Sequence, residues 1–473
     1  MAEYKTPGVY IEEISKLPPS IASVETAIPA FIGYTEKATW KKDDDLLNIP
    51  WRIKSMLEYE QYFGKPEPEK KDSLTVTFSN GKVNAEISEA LRSNFLMHYS
   101  MQMFFANGGG PCWIVAVDKY QEGGVQLGKL QLGLAEVAKV NEVTLLLFPD
   151  AINFSHDAGG ADNYYQIHID AIKQCADLQD RFVLLDVFHI DENEKIWEKD
   201  VAELREKIGA GENLKYAASY FPKLHTGIDF YYKDPRTSED NDENIKIVGV
   251  PGKETLLSLK SGKNAEYFQA KTALSNLPML LPASSAMAGI YAQTDNSRGV
   301  WKAPANINIS NVIEPEFLLS KVDQDGLNVD ANDGKSINAI RKFEGRGAAI
   351  VWGARTLNGN SNEWRYIPVR RFFIMVEESV KNATQRFVFE PNDENTWIRV
   401  KSMIQNYLTT QWRAGALMGA SVKEAYFVHV GLGETMTELD VWEGRMIIEI
   451  GMAVVRPAEF IILRFMHKML QES

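Results

Sequence analysis

The sequence predicts a mixed α/β chain of several domains, with an α/β middle region, a C-terminal α+β domain and an extended arm at each end. Three observations point there. Near-continuous apolar runs alternate with segments of helical period, the pattern of a mainly parallel sheet covered by helices. The 473 residues exceed what one ordinary core organises. Short apolar runs near both ends, fenced by prolines or charges, are too small to bury a face of their own. The expected organisation is an N-terminal arm over residues 1–22, an α/β region over 23–335 with surface insertions near 35–85 and 230–266, a C-terminal domain over 336–455 and a C-terminal strand or arm over 456–473.

Composition narrows the class. Hydrophobic residues at 45% and charged residues at 24% fit a core-forming protein. A formal net charge of -13 leaves no surplus of cations for neutralising phosphates, which argues against a nucleic-acid partner. Cys112 and Cys175 cannot make a disulfide framework; they read as small buried hydrophobes, in keeping with folding in a reducing cytoplasm. The first residues carry neither a cationic nor an apolar segment, so no secretory signal is expected. The longest weakly charged stretch, 277–292, is broken by Pro278 and Pro282 and falls short of the ~20 apolar residues of a membrane span.

Along the chain, Val9, Tyr10 and Ile11 form a strand-forming run after Pro7-Gly8, ended by Glu12-Glu13 and Pro18-Pro19. It reads either as a frayed tail or as a strand that completes another sheet. Residues 28–38 carry a first core strand, and 41–45 and 66–72 are charged loops on either side of a small surface subdomain or hairpin region. Over 88–105, Leu91, Phe95, Tyr99 and Met103 recur four apart behind Ser88, a candidate N-cap, and predict a helix. Asn107-Gly108-Gly109-Gly110-Pro111 then supplies a C-cap and tight turn; helix, glycines, strand is the wrong order for a phosphate loop. Strands are expected over 113–117, 143–148, 181–188 and 216–222, helices over 162–176 and 195–208, and exposed loops over 234–244 and 261–266. Within 277–306 a small-residue helix is predicted, whose glycines and alanines permit close backbone packing. Residues 323–336 read as a solvated turn: a calcium loop fails at Leu327 and Asn328, and a Walker loop fails at Val329.

Asp150 and Asp186 end two strands, where α/β sheets bind ligands, and are the acids of an alternative reading as an α/β hydrolase; the competing reading is a helix cap or turn former. The seven histidines do not cluster at metal-ligand spacing, and no zinc, nucleophile-elbow or paired-cysteine motif occurs. No catalytic, cofactor-binding or metal residue is assigned, and no cofactor is expected.

In the C-terminal domain, helices are predicted over 372–384 and 394–414, the second capped by Asn392 or Asp393. Trp397, Val400, Ile404, Leu408 and Gln411 fall on one side of it, and Arg399, Ser402, Asn406, Thr410 and Arg413 on the other. The arginine side is an ordinary solvated face or a docking surface for an acidic partner. Strands follow over 425–430, 445–455 and 460–465. The last, containing Phe460, Ile461, Ile462, Leu463 and Phe465, needs a partner edge.

Thr6-Pro7-Gly8-Val9-Tyr10-Ile11-Glu12-Glu13, Phe104-Phe105-Ala106-Asn107-Gly108-Gly109, Gly299-Val300-Trp301-Lys302-Ala303-Pro304-Ala305-Asn306, Trp352-Gly353-Ala354-Arg355-Thr356-Leu357 and Arg456-Pro457-Ala458-Glu459-Phe460 follow one another in the order of motifs of the contractile tail sheath family. The whole chain resembles that family, least clearly over 35–85. The resemblance implies a polymerising structural subunit, not an enzyme. Such subunits build a metastable extended helical sheath of stacked hexameric rings around an inner tube, then contract to drive the tube through a target envelope. It implies inter-subunit arms at Val9, Tyr10, Ile11 and Glu12 and at Phe460, Ile461, Ile462, Leu463 and Phe465, each adding a strand to a sheet of neighbouring copies. Implied partners are further copies, the inner tube protein, baseplate and terminator or cap proteins, and paralogous sheath subunits, without nucleic acid or membrane insertion. The implied setting is a phage tail or tail-like particle, with Arg399 and Arg413 as tube-facing candidates. Another structural component of the same machine is the second alternative.

Overall fold

The computed structural model describes residues 20–88, 91–121, 123–154, 159–189, 196–232, 244–330 and 332–464. The arm residues Val9, Tyr10, Ile11 and Glu12, and Phe465, lie outside the described residues. Two compact units divide the chain: a small unit with described residues 20–24 and 376–455, and a large unit with 25–375 and 456–464.

In chain order the strands of the large unit are β1 Pro29–Thr35, β2 Trp51–Ile53, β3 Leu74–Ser79, β4 Lys82–Ile87, β5 Cys112–Lys119, β6 Leu145–Leu147, β7 Phe182–Asp186, β8 Ala217–Phe221, β9 Leu224–Thr226, β10 Lys246–Val248, β11 Met279–Leu281, β12 Val312–Pro315, β13 Ile337–Phe343 and β14 Gly347–Val351; the small unit holds β15 Tyr426–His429 and β16 Glu449–Met452. Eight strands form one sheet in the order β14-β13-β8-β7-β6-β1-β5-β2. The six inner strands run parallel, and β14 and β2 close the edges antiparallel. Every residue of β1, β7 and β8 is buried, which is what a sheet covered on both faces requires of its inner strands. The mainly parallel α/β layer expected from the apolar runs is therefore present.

Helices Met97–Ala106 and Ser284–Arg298 pack against one another on this sheet. The approach is close enough that a Cβ on Gly289 would come within 2.5 Å of the Phe104 carbonyl oxygen, so the small residues of this helix serve the packing foreseen for them. After Ala106, the amides of Gly108 and Gly109 turn back to the carbonyls of Phe105 and Phe104, giving the expected C-cap.

Several expectations change. The helix predicted over 88–105 begins only at Met97: Ser88 closes a turn with the amides of Leu91 and Arg92, and Leu91 is exposed, so the four-residue recurrence ran past the true start. Residues 46–65 are not a separate surface subdomain, because β2 joins the main sheet beside β5 and helix Met56–Phe63 buries Tyr59 and Phe63 completely. The hairpin comes later, as β3 and β4 joined by Asn80 and Gly81 at φ 51° and 75°. It pairs in parallel with β10, so the two expected insertions share one sheet. Residues 321–328 are a helix instead of a turn, Lys321–Asn328, with a reciprocal cap between Ser320 and Asp323. The expected domain start at 336 gives way to a division between 375 and 376, because β13 continues the main sheet through Ile337, Asn338 and Ala339 opposite Ser219, Tyr220 and Phe221.

Candidate functional site

Asp150 and Asp186 do sit at carboxyl ends of the sheet, as the hydrolase alternative requires, and both are fully buried caps. Asp150 accepts from the amides of Tyr34 at 2.7 Å, Leu96 at 2.6 Å and Met97 at 2.9 Å, the last two opening helix Met97–Ala106. Asp186 accepts from the amides of Ala283 at 2.7 Å and Ser284 at 3.0 Å, opening helix Ser284–Arg298. The crevice beside β1, where sheet order reverses and α/β enzymes bind ligands, is thus filled by the protein's own chain. A Cβ on Gly33 would already lie 2.3 Å from an Asp150 oxygen. Burial pushes the Asp150 carboxyl up to about 7 and that of Asp186 up to about 6, against the pull of the amide donors.

The large unit's cleft of about 300 Å³ is lined by Tyr99, Tyr231, Lys271 and their neighbours, and neither aspartate reaches it. Of the acids that line it, Glu60 and Asp229, the first is engaged by Lys65 and by His98, whose ring burial holds at about 4. Among the described residues no cluster of His, Cys, Asp and Glu is arranged to hold a metal ion, and no helix is long and apolar enough to cross a membrane.

The small unit carries a different kind of surface. β15 and β16 pair antiparallel from Tyr426 opposite Met452 to His429 opposite Glu449. Tyr426 and Val428 point inward, the Tyr426 hydroxyl reaching Thr409 at 2.6 Å and the Gln405 carbonyl at 2.8 Å on helix Glu394–Arg413. Phe427 lies on the opposite, half-exposed face and crosses Gly451, where a Cβ would strike its ring at 2.1 Å. Among the described residues β15 has only β16 as a strand partner, so one edge of the ladder is open. A two-stranded ladder with an open edge is marginal by itself.

Helix Glu394–Arg413 starts where the sequence placed it, with Asp393 accepting from the Thr396 amide at 2.9 Å. Val400, Ile404, Leu408 and Gln411 are buried as expected, joined by Met403 and Tyr407. Arg399 and Arg413 are exposed on the outer side, about 21 Å apart along the axis at 1.5 Å per residue. Arg399 is not a free cation: it bonds Glu390 at 3.0 Å. Just before that glutamate, Phe389 holds a φ of 70° with its ring fully exposed, a backbone conformation that costs bulky residues ~1–2 kcal/mol. The chain leaving the N-terminal arm is tied to the same unit: the Ser23 hydroxyl meets the Tyr407 hydroxyl at 3.1 Å, and the Val24 amide donates to Ser379 at 3.0 Å.

The C-terminal run differs from its expectation. Phe460, Ile461, Ile462 and Leu463 form no strand; they are 69%, 81%, 77% and 72% exposed. Immediately before them, Glu459 is gripped by the large unit. Arg355 donates to it through Nε at 2.9 Å and Nη2 at 2.6 Å, Asn328 through Nδ2 at 2.8 Å and the Tyr366 hydroxyl at 3.1 Å. Asn338 of β13 fixes Arg355 by accepting from its amide at 2.7 Å and donating to its carbonyl at 2.8 Å. Burial pulls the Glu459 carboxyl upward, but the Arg355 fork and the other donors outweigh it and hold the group below the ordinary carboxylate range. Sequence reasoning marked both motifs without seeing that they bond each other; an arginine in one and a glutamate in the other, each in an otherwise apolar or small-residue setting, was the available signal.

Residues 360–467 match the phage tail sheath C-terminal domain. The tail sheath protein of Vibrio phage KVP40 is 31% identical over 129 residues and that of Enterobacteria phage T4 28% identical over 131; each match covers 27% of this chain and 19% of the phage protein, about a fifth of those relatives' length. Over nearly its whole length the chain is similar to the PVC sheath complex of an extracellular contractile injection system in the contracted state, at 29% identity and a TM-score of 0.65 over 99% of each chain. It is likewise similar to the contracted helical sheath of the anti-feeding prophage, AFP, at 30% identity and a TM-score of 0.64 over 98% of this chain and 100% of that one.

Proposed function

This chain belongs to the contractile tail sheath family, and from that premise we propose that it is a structural subunit, not an enzyme, which polymerises into a helical sheath around an inner tube and contracts to drive that tube through a target envelope. The observation that carries this reading is the pairing of an open ladder edge with an exposed apolar tail: among the described residues, β15 has no second strand neighbour, and Phe460, Ile461, Ile462 and Leu463 join no ladder. Each is what the other needs, and within a lattice of identical chains a tail from one copy satisfies an edge on the next. A head-to-tail contact of this kind, repeated with a rotation that does not close, generates a helix.

On this reading residues 1–22 and 456–473 are the arms, with Val9, Tyr10, Ile11, Glu12 and Phe465 belonging to their pairing segments. Work comes from repacking subunits that stay joined by these arms, without nucleotide hydrolysis. The baseplate and a terminal cap bound the polymer, which is made in the bacterial cytoplasm. Similarity spanning nearly the whole of this chain in the PVC and AFP sheaths, against 27% of it in the phage proteins, favours a tail-like injection particle. The outer side of helix Glu394–Arg413, with Arg399, Arg413 and the Phe389 ring, is the proposed tube-facing surface; reversing both arginines is expected to leave folding intact and prevent ordered assembly on the tube, and unchanged assembly would refute that assignment.

Sedimentation velocity and electron microscopy of the purified chain, with and without its tube protein, test the main reading. Long tubes of uniform width beside a monomer awaiting nucleation are expected. A small discrete oligomer at every concentration would overturn it.

A further inference from the structure

We propose that Arg355 and Glu459 form an anchor that fixes where the C-terminal arm departs from the large unit, which makes them positioning residues for strand donation to a neighbouring copy. The inference rests on the sheath reading and deepens it by naming what aims the arm.

Among the described residues 456–464, the hydrogen bonds that hold the segment all converge on the Glu459 carboxylate. Arg456, Ala458 and the residues from Phe460 onward are exposed. The receiving side is built independently of the tail. Asn338 clamps the Arg355 backbone from both directions, the Arg355 side chain is 4% exposed, and its remaining nitrogen faces the carbonyls of Asn328 at 3.3 Å and Gly359 at 3.5 Å. A planar fork held in this way reads a carboxylate in one orientation, which a lysine ammonium does not.

The position of the anchor gives it its consequence. The last backbone hydrogen bond before the tail is from the Val455 amide to the Ala416 carbonyl. Without Glu459 the free arm would begin at residue 456; with it, the free arm begins at Phe460, four residues and roughly 13 Å of extended chain later. The apolar run therefore starts from a fixed point and searches a smaller volume, which raises its effective concentration at a neighbour's edge and lowers the ordering cost of docking. That four consecutive large apolar residues stay exposed one residue beyond a four-bond grip fits a segment held out for a partner.

The test uses the full chain with Glu459→Ala, Glu459→Gln and Arg355→Lys. In the monomer, chymotryptic cleavage at Phe460 is expected to speed up at least five-fold for Glu459→Ala and less for Glu459→Gln, which still accepts from the fork. The protein concentration needed for half-assembly is expected to rise at least ten-fold for Glu459→Ala and for Arg355→Lys, with Glu459→Gln between them and wild type. Thermal unfolding of each monomer reports whether a defect is merely one of folding; the graded recovery with glutamine, at a shared unfolding midpoint, is the mark of positioning. Glu459→Ala and Arg355→Lys that assemble at the wild-type concentration with wild-type cleavage overturn the proposal. A wild-type chain that never assembles, while Glu459→Ala still frees the tail, would sink the sheath reading and leave the anchor standing.

Discussion

The large unit's main sheet and the small unit's ladder solve the same problem in opposite ways. The main sheet has six parallel inner strands with both faces covered, and even its crevice at the carboxyl ends is occupied by Asp150, Asp186 and the helices they cap. The ladder has two short strands, an open edge and a half-exposed phenylalanine on its outer face. Among the described residues, one region finishes itself; the other, with the C-terminal run, is left incomplete. The difference teaches where a proposed assembly surface is to be sought: at the strand edge and apolar run left without partners, while the buried acids that look catalytic in sequence are part of the framework.

The comparison breaks most visibly at the open region. Ending the chain after Glu459 is expected to abolish tube formation entirely while leaving the circular dichroism melt of the monomer near wild type; sedimentation shows the loss, and tubes of normal stability from the shortened chain would contradict the division. In the closed region, Asp150→Ala leaves the amides of Tyr34, Leu96 and Met97 without their acceptor in a fully buried site. At ~1–3 kcal/mol per stranded group, partly offset by removal of a buried carboxylate, a loss of about 3 kcal/mol in urea unfolding of the monomer is expected. The exposed cap Asp393 is a milder case: Asp393→Ala removes one bond to the Thr396 amide and should cost ~1 kcal/mol.

The smallest effect is with pH, and it sharpens the picture by cancellation. Asp150 and Asp186 titrate above their unfolded value, at about 7 and about 6, so the stability they give is full below ~4 and is lost as pH rises through 6 to 7. Burial lowers His98 and His168 to about 4, so the stability they give is present above ~6.5 and is lost as pH falls through about 4. The two pairs oppose each other between ~4 and ~6.5, and the monomer's unfolding free energy should be nearly flat there. Replacing both aspartates by asparagine should make stability rise with pH across that window, and replacing both histidines by phenylalanine should make it fall.

The parts of the fold that were legible in sequence are those decided locally. β1, β7 and helix Glu394–Arg413 announced themselves by apolar run, period and cap, because each needs only its own residues to be recognised. The β3–β4 hairpin was equally local, carried by Asn80-Gly81. Helix Lys321–Asn328 hid behind its aspartates and Gly326, residues that weaken a helix interior and were outweighed by the Ser320–Asp323 cap. The start of helix Met97–Ala106 could not be placed from nearby residues at all, since its acceptor is Asp150, 53 positions away from Met97. The same holds for Arg355 and Glu459, 104 positions apart: both motifs stood out, but nothing in spacing alone brings a fork to a carboxylate across that distance.

That separation of 104 residues also sets a schedule for synthesis. At roughly 5–20 residues per second, Arg355 leaves the ribosome about 5–20 s before Glu459 does. The receptor for the tail is therefore made, and has time to fold around Asn338, before the sticky segment behind Glu459 emerges.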